Sequence, residues 1–518
     1  MSDDAALHAK IVASLSDATT YPDQPQSVDV VETHVSQVFL TDQFVYKLKK
    51  PVRLAFVDFS TAELREAACR DELRLNRRMA PNAYLDVLPI TLEADNCIAI
   101  KGSGSVVDWV VHMRRLPADR MLDRLILSTV LTSDETAGLA NYLADYYVAA
   151  SPLAVSEAVY LTALTAHVID NWETLTQTAD VDAAQVGRIH AAQLRLLRFN
   201  PELLGVRVRE ERIIDGHGDL RPEHICLTDP PAVFDCVEFS ADFRRVDVVD
   251  ELCFLAMECD LLGAPHVGEA ILEAYSQRSG DRPPPRLIAF YKSYRACVRA
   301  KVAALRGGQV VGKSHDAQQR LEHRYLDLAD EEVRRAGIRP LLIVIGGLMG
   351  TGKSTLARSV GAAMRMEVLR TDAIRNEVFP KSAVDSGFNE DRYQPQARRR
   401  VYDEILLRAA NRLTSGLSVV LDGTFIDGES LDRAQKLADD RGADFAAFEC
   451  VCPREVSLAR IEERRRTSSD PSEARPELYD KQAASRQASP AVARVTHIDG
   501  TRPLAEQIGH VIASLPEP

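Results

Sequence analysis

The segment Gly347-Leu-Met-Gly350-Thr351-Gly352-Lys353-Ser354-Thr355 constrains this chain more than any other, because an apolar run, Leu341 to Ile345, leads straight into it. Three glycines between a strand and a helix let consecutive backbone N–H groups turn inward, and the helix aims its positive end at the same point. Such a concave set of donors is an anion cradle. The spacing therefore predicts a phosphate-binding P-loop formed by Gly347, Gly350, Thr351, Gly352, Lys353, Ser354 and Thr355. Lys353 would bridge the outer phosphates and the Ser354 hydroxyl would ligate magnesium, so ATP or GTP with Mg2+ is the expected ligand.

Beyond this motif, strands expected at 341–345, 366–370, 417–422, 446–451 and 495–498 alternate with helical stretches, the pattern of a parallel α/β sheet. Asp422 ends the apolar run Val419-Val-Leu, where a carboxylate either holds the metal through water or caps the next turn. Asp372 and Arg375 follow the second strand, on the carboxyl edge where ligands bind in open sheets. Asp372 could accept the proton of an attacking hydroxyl and Arg375 could hold the acceptor; the alternative is a helix cap beside a solvated arginine. The basic helix Arg460-Ile-Glu-Glu-Arg464-Arg465-Arg466 and the polar loop to Ser472 suit an arginine lid, with Arg464 at its centre, or a solvated face. Arg398 to Arg400 suit an exposed helix face better than an anion site.

The first part reads differently. Residues 29–59 form strands, 61–79 a helix capped by Ser60 or Thr61, 84–100 and 106–116 further strands, and about 119–205 a helical body. Short strands return at 213–239, and helix follows to Gly337, a glycine C-cap before Pro340. A domain boundary near 337 gives an α+β two-lobed domain, 1–337, followed by an α/β P-loop NTPase domain, 338–518. The later part carries 26 Lys and Arg against 26 Asp and Glu, so the net charge of −13 belongs to the first 337 residues. An acidic module repels a polynucleotide backbone, and the 6% aromatic content is low for a base-stacking groove. A small-molecule partner fits better than nucleic acid. The longest apolar run is too short to span a membrane, the start lacks a secretory h-region, and nine scattered cysteines show no CxxC pair. These features suggest a cytoplasmic protein; they do not speak to oligomeric state.

A second constellation lies at Gly216-His217-Gly-Asp219-Leu-Arg-Pro-Glu-His224, followed by Val233-Phe234-Asp235. A carboxylate at the acceptor with metal ligands five and sixteen residues on is the layout of a kinase catalytic loop. It resembles the aminoglycoside phosphotransferase and choline-kinase-like family, whose loop reads HGDxxxxN. On that resemblance Asp219 is the catalytic base and Asp235 the magnesium ligand, while His224 replaces the family's Asn. Magnesium prefers oxygen, so this substitution leaves catalysis open. The resemblance also implies a strand lysine, Lys47 ahead of Lys49, paired to a helix glutamate, Glu72. Trp109 to Leu116 would be the hinge around adenine. The covering loop, 32–36, has no glycine, so hydroxyls and the His34 imidazole would replace backbone amides there.

The later part resembles small P-loop kinases related to gluconate kinase, chloramphenicol phosphotransferase and polynucleotide 5′-kinase. The whole chain resembles bacterial proteins described as bifunctional aminoglycoside phosphotransferase/ATP-binding protein. The resemblance implies an ATP-dependent transfer of phosphate to a small-molecule hydroxyl. A nucleotide sensor with a pseudokinase first domain, and a nucleotide or polynucleotide 5′-kinase in the second, are the alternatives.

Overall fold

A computed structural model describes residues 3–33, 35–54, 57–178, 181–379, 394–425, 428–467, 476–484 and 495–516, with backbone alone at 3–5, 199, 395, 464, 465, 467, 476–478 and 481. The chain divides into two compact units, Met1–Ser156 with Arg207–Arg295, and Glu157–Val206 with Ala296–Pro518.

The first unit is built on an antiparallel sheet of β1 (Asp29–Glu32), β2 (Ser36–Leu40), β3 (Phe44–Lys49), β4 (Tyr84–Leu92), β5 (Ile98–Ile100) and β6 (Ser105–Arg114), in the order β1-β2-β3-β6-β4-β5. Alternation along β3 sorts its side chains between two faces. Tyr46 and Leu48 enter a core with Ile11, Leu15, Phe39 and Ile90, which leaves Lys47 and Lys49 together on the other face. The helix Ala62–Asn76 is capped by Thr61, whose hydroxyl accepts from the Leu64 N–H. Arg65 Nε anchors this helix to Asp108 at 2.9 Å, a buried pair. Two short antiparallel pairs follow: Ile213–Asp215 with Arg245–Asp247, and, between them in sequence, the hairpin of Ile225–Cys226 with Ala232–Val233. The helices Ser133–Ala149, Val248–Leu261 and Pro265–Ser279 complete the unit.

The second unit contains a five-stranded, all-parallel sheet: β7 (Leu341–Gly346), β8 (Glu367–Arg370), β9 (Val419–Asp422), β10 (Asp444–Val451) and β11 (Thr496–Asp499), ordered β8-β9-β7-β10-β11. Every residue of β7 is buried, as a central strand covered on both faces must be. Leu342 and Val344 join one core cluster, and Leu341, Ile343 and Ile345 join the other. The chain leaves β7 to build one side of the sheet and returns to build the other, so the carboxyl end of β7 is a topological switch point.

Packing does not divide the chain at 337. Gly337 does end a helix, with φ +70°, but the helices Glu157–Thr176, Ala183–Phe199 and Lys313–Arg335 pack within the P-loop unit. Charged and aromatic contacts explain the affiliation. Arg195 pairs with Asp444 at 2.5 Å and donates to the Arg339 carbonyl. Trp172 stacks on His190, and the Arg365 guanidinium lies over the Trp172 ring, 5.1 Å from its centre. A helix-ending glycine marks a local stop and says nothing of where distant helices dock. No helix among the described residues is long and apolar enough to cross a membrane.

Candidate active sites

At the P-loop, sequence and backbone geometry coincide. Gly347, Gly350 and Gly352 have φ of 136°, 79° and 96°, conformations that β-carbons disfavour. A β-carbon would lie 2.6 Å from the Cys450 carbonyl at Gly347 and 2.4 Å from the Ser457 carbonyl at Gly350. The loop therefore wraps tightly onto the end of β10 and the helix Arg454–Thr467, and its amides curl around the N-terminus of the helix Lys353–Met364. Thr351 Oγ donates to the Leu348 carbonyl at 2.8 Å, fixing the turn from inside. Lys353 Nζ lies 3.4 Å from the same carbonyl.

Parallel register sets Asp422 beside Ile345 on one side and Arg370 on the other. Ser354 Oγ donates to Asp422 Oδ1 at 3.1 Å, and Arg370 Nε donates to Oδ2 at 3.1 Å. Burial pushes the Asp422 carboxyl up, opposed mainly by Lys353. Asp372 lies in the first turn of the helix Thr371–Val378, and Arg375 Nη1 donates to its Oδ1 at 2.6 Å. Ser354, Asp422, Asp372 and Arg375 thus gather at the carboxyl edge of one sheet. Arg460, at the start of the basic run expected to form a lid, donates to the carbonyls of Gly500 at 2.9 Å and Thr351 at 3.4 Å, bracing the P-loop from outside. Arg464 and Arg465 lie on the same helix with side chains outside the described residues, as are loop residues 468–475. Arg399 is an exposed partner of Glu429, in keeping with a solvated face.

The first unit assembles a different charge cluster. Glu72 is fully buried, and its two oxygens meet Lys47 at 2.8 Å and Lys49 at 2.7 Å. Lys47 also reaches Asp235 at 2.6 Å, while Lys49 is enclosed with Glu238 at 2.5 Å. Lys47 is therefore the lysine that faces the Asp235 side, and Lys49 braces Glu72 from behind. Against the cost of desolvation, Lys47 first and His224 second hold the Asp235 carboxyl well below its ordinary range.

The loop at 217–224 is tied from below. Glu251, on the helix Val248–Leu261, accepts the His217 N–H at 2.5 Å and the Gly218 N–H at 3.0 Å. His217 Nε2–H donates to the Phe234 carbonyl at 2.9 Å and Nδ1 accepts the Asp219 N–H at 3.3 Å, a pattern that requires the neutral ring. Burial, with His224 nearby, lowers the His217 pKa to about 4, consistent with that tautomer. His224 Nδ1–H donates to the Asp219 carbonyl at 2.9 Å, which leaves Nε2 directed at Asp235 Oδ2, 3.6 Å away. The ring thus stands between the two aspartates, where an asparagine was expected to offer oxygen. Among the described residues no three His, Cys, Asp or Glu side chains converge as a ready metal site. A magnesium ion at either place would complete its shell with phosphate oxygens and water.

One expectation is corrected. The Thr33 and Ser36 hydroxyls do not replace amides over a nucleotide. Thr33 Oγ accepts the Ser36 N–H at 2.9 Å to close a tight hairpin, and Ser36 is wholly buried. His34 lies outside the described residues.

Desolvation raises the Glu251 pKa to about 7, with Arg295 opposing. The folded chain keeps this proton to near neutrality, whereas the unfolded chain releases it near the ordinary glutamate value of 4.5. Its contribution is complete below about 4.5 and is lost as pH rises through about 7. Glu251→Gln, which cannot ionise, should flatten that part of the stability profile, read by denaturant unfolding at pH 5 and pH 8. Equal slopes for both proteins would exclude Glu251 as the source.

A family model described as an AAA domain matches residues 342–489, which include the P-loop and four of the sheet's five strands. Uncharacterized protein Rv2004c of Mycobacterium tuberculosis is 34% identical over 465 residues, covering 88% of this chain and 89% of that protein. The chain belongs to the family of that mycobacterial protein. Among solved structures, a gluconokinase from Sinorhizobium meliloti 1021 aligns with 34% of this chain and 90% of its own, at 22% identity and TM-score 0.25. The GDP complex of wild-type aminoglycoside 2'-phosphotransferase-IIIa aligns with 61% of this chain and 98% of its own, at 13% identity and TM-score 0.35. Scores this low leave the sites to be read from their own geometry. What this chain carries there is a P-loop domain matched by an AAA-domain model, with a glycine loop of the kind that holds nucleotide phosphates.

Three site residues carry weight that sequence reasoning did not give them. Arg370 ends β8 immediately before Thr371-Asp372, and only sheet register reveals its carboxylate. Glu238 stands three residues after Asp235, near enough to suggest a shared turn but not a shared lysine. Glu251 sits on a distant apolar helix, where a fully buried acid among Val248, Val249, Leu252 and Cys253 was the available signal.

Proposed function

We propose that this chain is an ATP-dependent phosphotransferase with two nucleotide modules, each moving the γ-phosphate to a hydroxyl of a small molecule. The observation that supports this best is the hydrogen bond from Ser354 to Asp422 beneath a glycine cradle, with Asp372 and Arg375 on the same sheet edge. The positive φ of all three glycines, with β-carbon clashes at Gly347 and Gly350, holds the loop in the conformation that a phosphate cradle needs. Ser354 directly, and Asp422 through water, would hold magnesium, which neutralises phosphate charge when bound. Lys353 draws developing charge from the outer phosphates, Asp372 accepts the proton of the acceptor hydroxyl, and Arg375 exchanges its hold on Asp372 for the acceptor. Arg464 is the candidate lid residue.

In the first module Lys47, held by Glu72, meets the phosphates. Asp219 is the base, and Asp235 with His224 is the metal side. The acceptor is a small molecule at both places, and the whole-chain resemblance to bifunctional aminoglycoside phosphotransferase/ATP-binding proteins agrees with this reading without naming it.

A second reading has a specific observation in its favour. The closed hairpin at Thr33–Ser36 and the His224 ring between two aspartates suit a first module that binds nucleotide without turnover. Full-length Lys353→Ala and Asp219→Asn separate the readings. With a panel of hydroxyl metabolites, acceptor-stimulated ADP release that persists in Lys353→Ala and vanishes in the double variant supports two working modules. Release lost entirely in Lys353→Ala, with nucleotide still bound, supports the sensor.

A further inference from the structure

We infer that Arg370 is a positioning residue that sets the Asp422 carboxylate for the magnesium form of the nucleotide, an inference that rests on the P-loop reading above. Arg370 is the last residue of β8, and parallel pairing with β9 puts it directly beside Asp422. Its Nε donates to Oδ2 while the Ser354 hydroxyl donates to Oδ1, both at 3.1 Å. Asp422 is 3% exposed at the side chain and Arg370 17%, so the pair is shielded yet lies on the ligand edge.

A carboxylate can accept through either oxygen and can rotate to offer both to a cation. Asp422 cannot do so freely. The guanidinium occupies Oδ2, and the remaining oxygen is turned toward Ser354, the side chain expected on the metal. An arginine serves here better than a lysine because its planar fork fixes direction as well as charge. The consequence is a division of labour along one strand end. Arg370 orients the carboxylate on the metal side, and Asp372, two residues on, meets the acceptor. A salt bridge that served only to bind β8 to β9 would need no particular carboxylate, since backbone pairing already joins those strands at four residue pairs. This one engages the carboxylate that meets the P-loop serine.

The test is magnesium-dependent binding of a fluorescent ADP analogue to the full-length chain, which needs no turnover. Outer-shell partners of metal sites typically contribute about 10–100-fold in metal affinity. Arg370→Met should therefore need about tenfold more magnesium for half-maximal binding, while binding measured in EDTA stays at the wild-type value. Arg370→Lys, which keeps the charge and loses the fork, should show a smaller shift in the same direction. A wild-type magnesium requirement in Arg370→Met overturns the inference. So does an equal loss of binding with and without magnesium, which would mean direct phosphate contact or general damage. Should the methionine variant fail to fold, Arg370→Lys decides alone: a raised requirement supports the role and an unchanged one overturns it. Lys353→Ala serves as the separate control, because an analogue titration that still shows every wild-type site at its wild-type affinity in that variant removes the P-loop reading itself, whatever Arg370 does.

Discussion

Lys353→Ala should lower turnover at the P-loop site by about 10²–10³-fold, the loss typical of removing one aligned charge-stabilising donor. The lysine starts the helix Lys353–Met364 and rests near the Leu348 carbonyl at 3.4 Å, with no carboxylate at salt-bridge distance among the described contacts. Its removal therefore breaks no ion pair among the described residues, and alanine is a good helix former. The melting temperature should stay close to wild type, while ADP release measured in the Asp219→Asn background, where only the P-loop site turns over, collapses. Asp372→Asn should cost about 10²–10⁴-fold, the range for a general base, and mostly in kcat, since the amide still fills the first turn of its helix. A variant that keeps near-wild-type kcat at saturating acceptor would remove Asp372 from the base role. The two losses should not multiply if both act on one transition state.

The second large effect falls on stability. Glu72→Ala should destabilise the first unit by about 3–5 kcal/mol, because it strips one carboxylate from two buried ammonium groups. Lys49 has no exposed side-chain surface and would keep only Glu238; Lys47 would keep Asp235. For a unit of this size that corresponds to a fall in melting temperature of roughly 10 °C, visible by calorimetry in the full chain. Glu72→Gln should cost less, since the amide oxygen still accepts from one lysine. A Glu72→Ala protein that melts with wild type would show that the cluster relaxes by admitting water. The same substitution frees Lys47 from one of its two anchors, so nucleotide affinity of the first module should fall with it.

Much of this architecture was legible because local chemistry decided it. Glycines at 347, 350 and 352 announce positive φ, and the apolar run before them announces a strand buried on both faces; neither depends on distant residues. The ends of β8 and β9, hence the positions of Asp372 and Asp422, followed from the same alternation. Lys47 and Glu72 were legible as a pair through the kinase-like resemblance, and their contact is a matter of strand face and helix face. The Thr33–Ser36 turn was misread because a hydroxyl's partner is chosen by hairpin closure, which a five-residue window does not reveal.

What the sequence by itself determined was therefore the P-loop, the parallel sheet that carries it, the strand-rich first lobe and the polar turn at 217–224 between short strands. Tertiary structure alone decided which charges meet. Arg370 finds Asp422 across 52 residues, Lys49 finds Glu238 across 189, and Glu251 catches the loop amides of His217 and Gly218. It also decided that helices read as part of the first domain group with the P-loop unit. The physical reason is the same in each case. Backbone conformation is set within a few residues by sterics and hydrogen bonds. The partner of a buried charge is set by register and packing, and burial makes that choice costly to leave unmade.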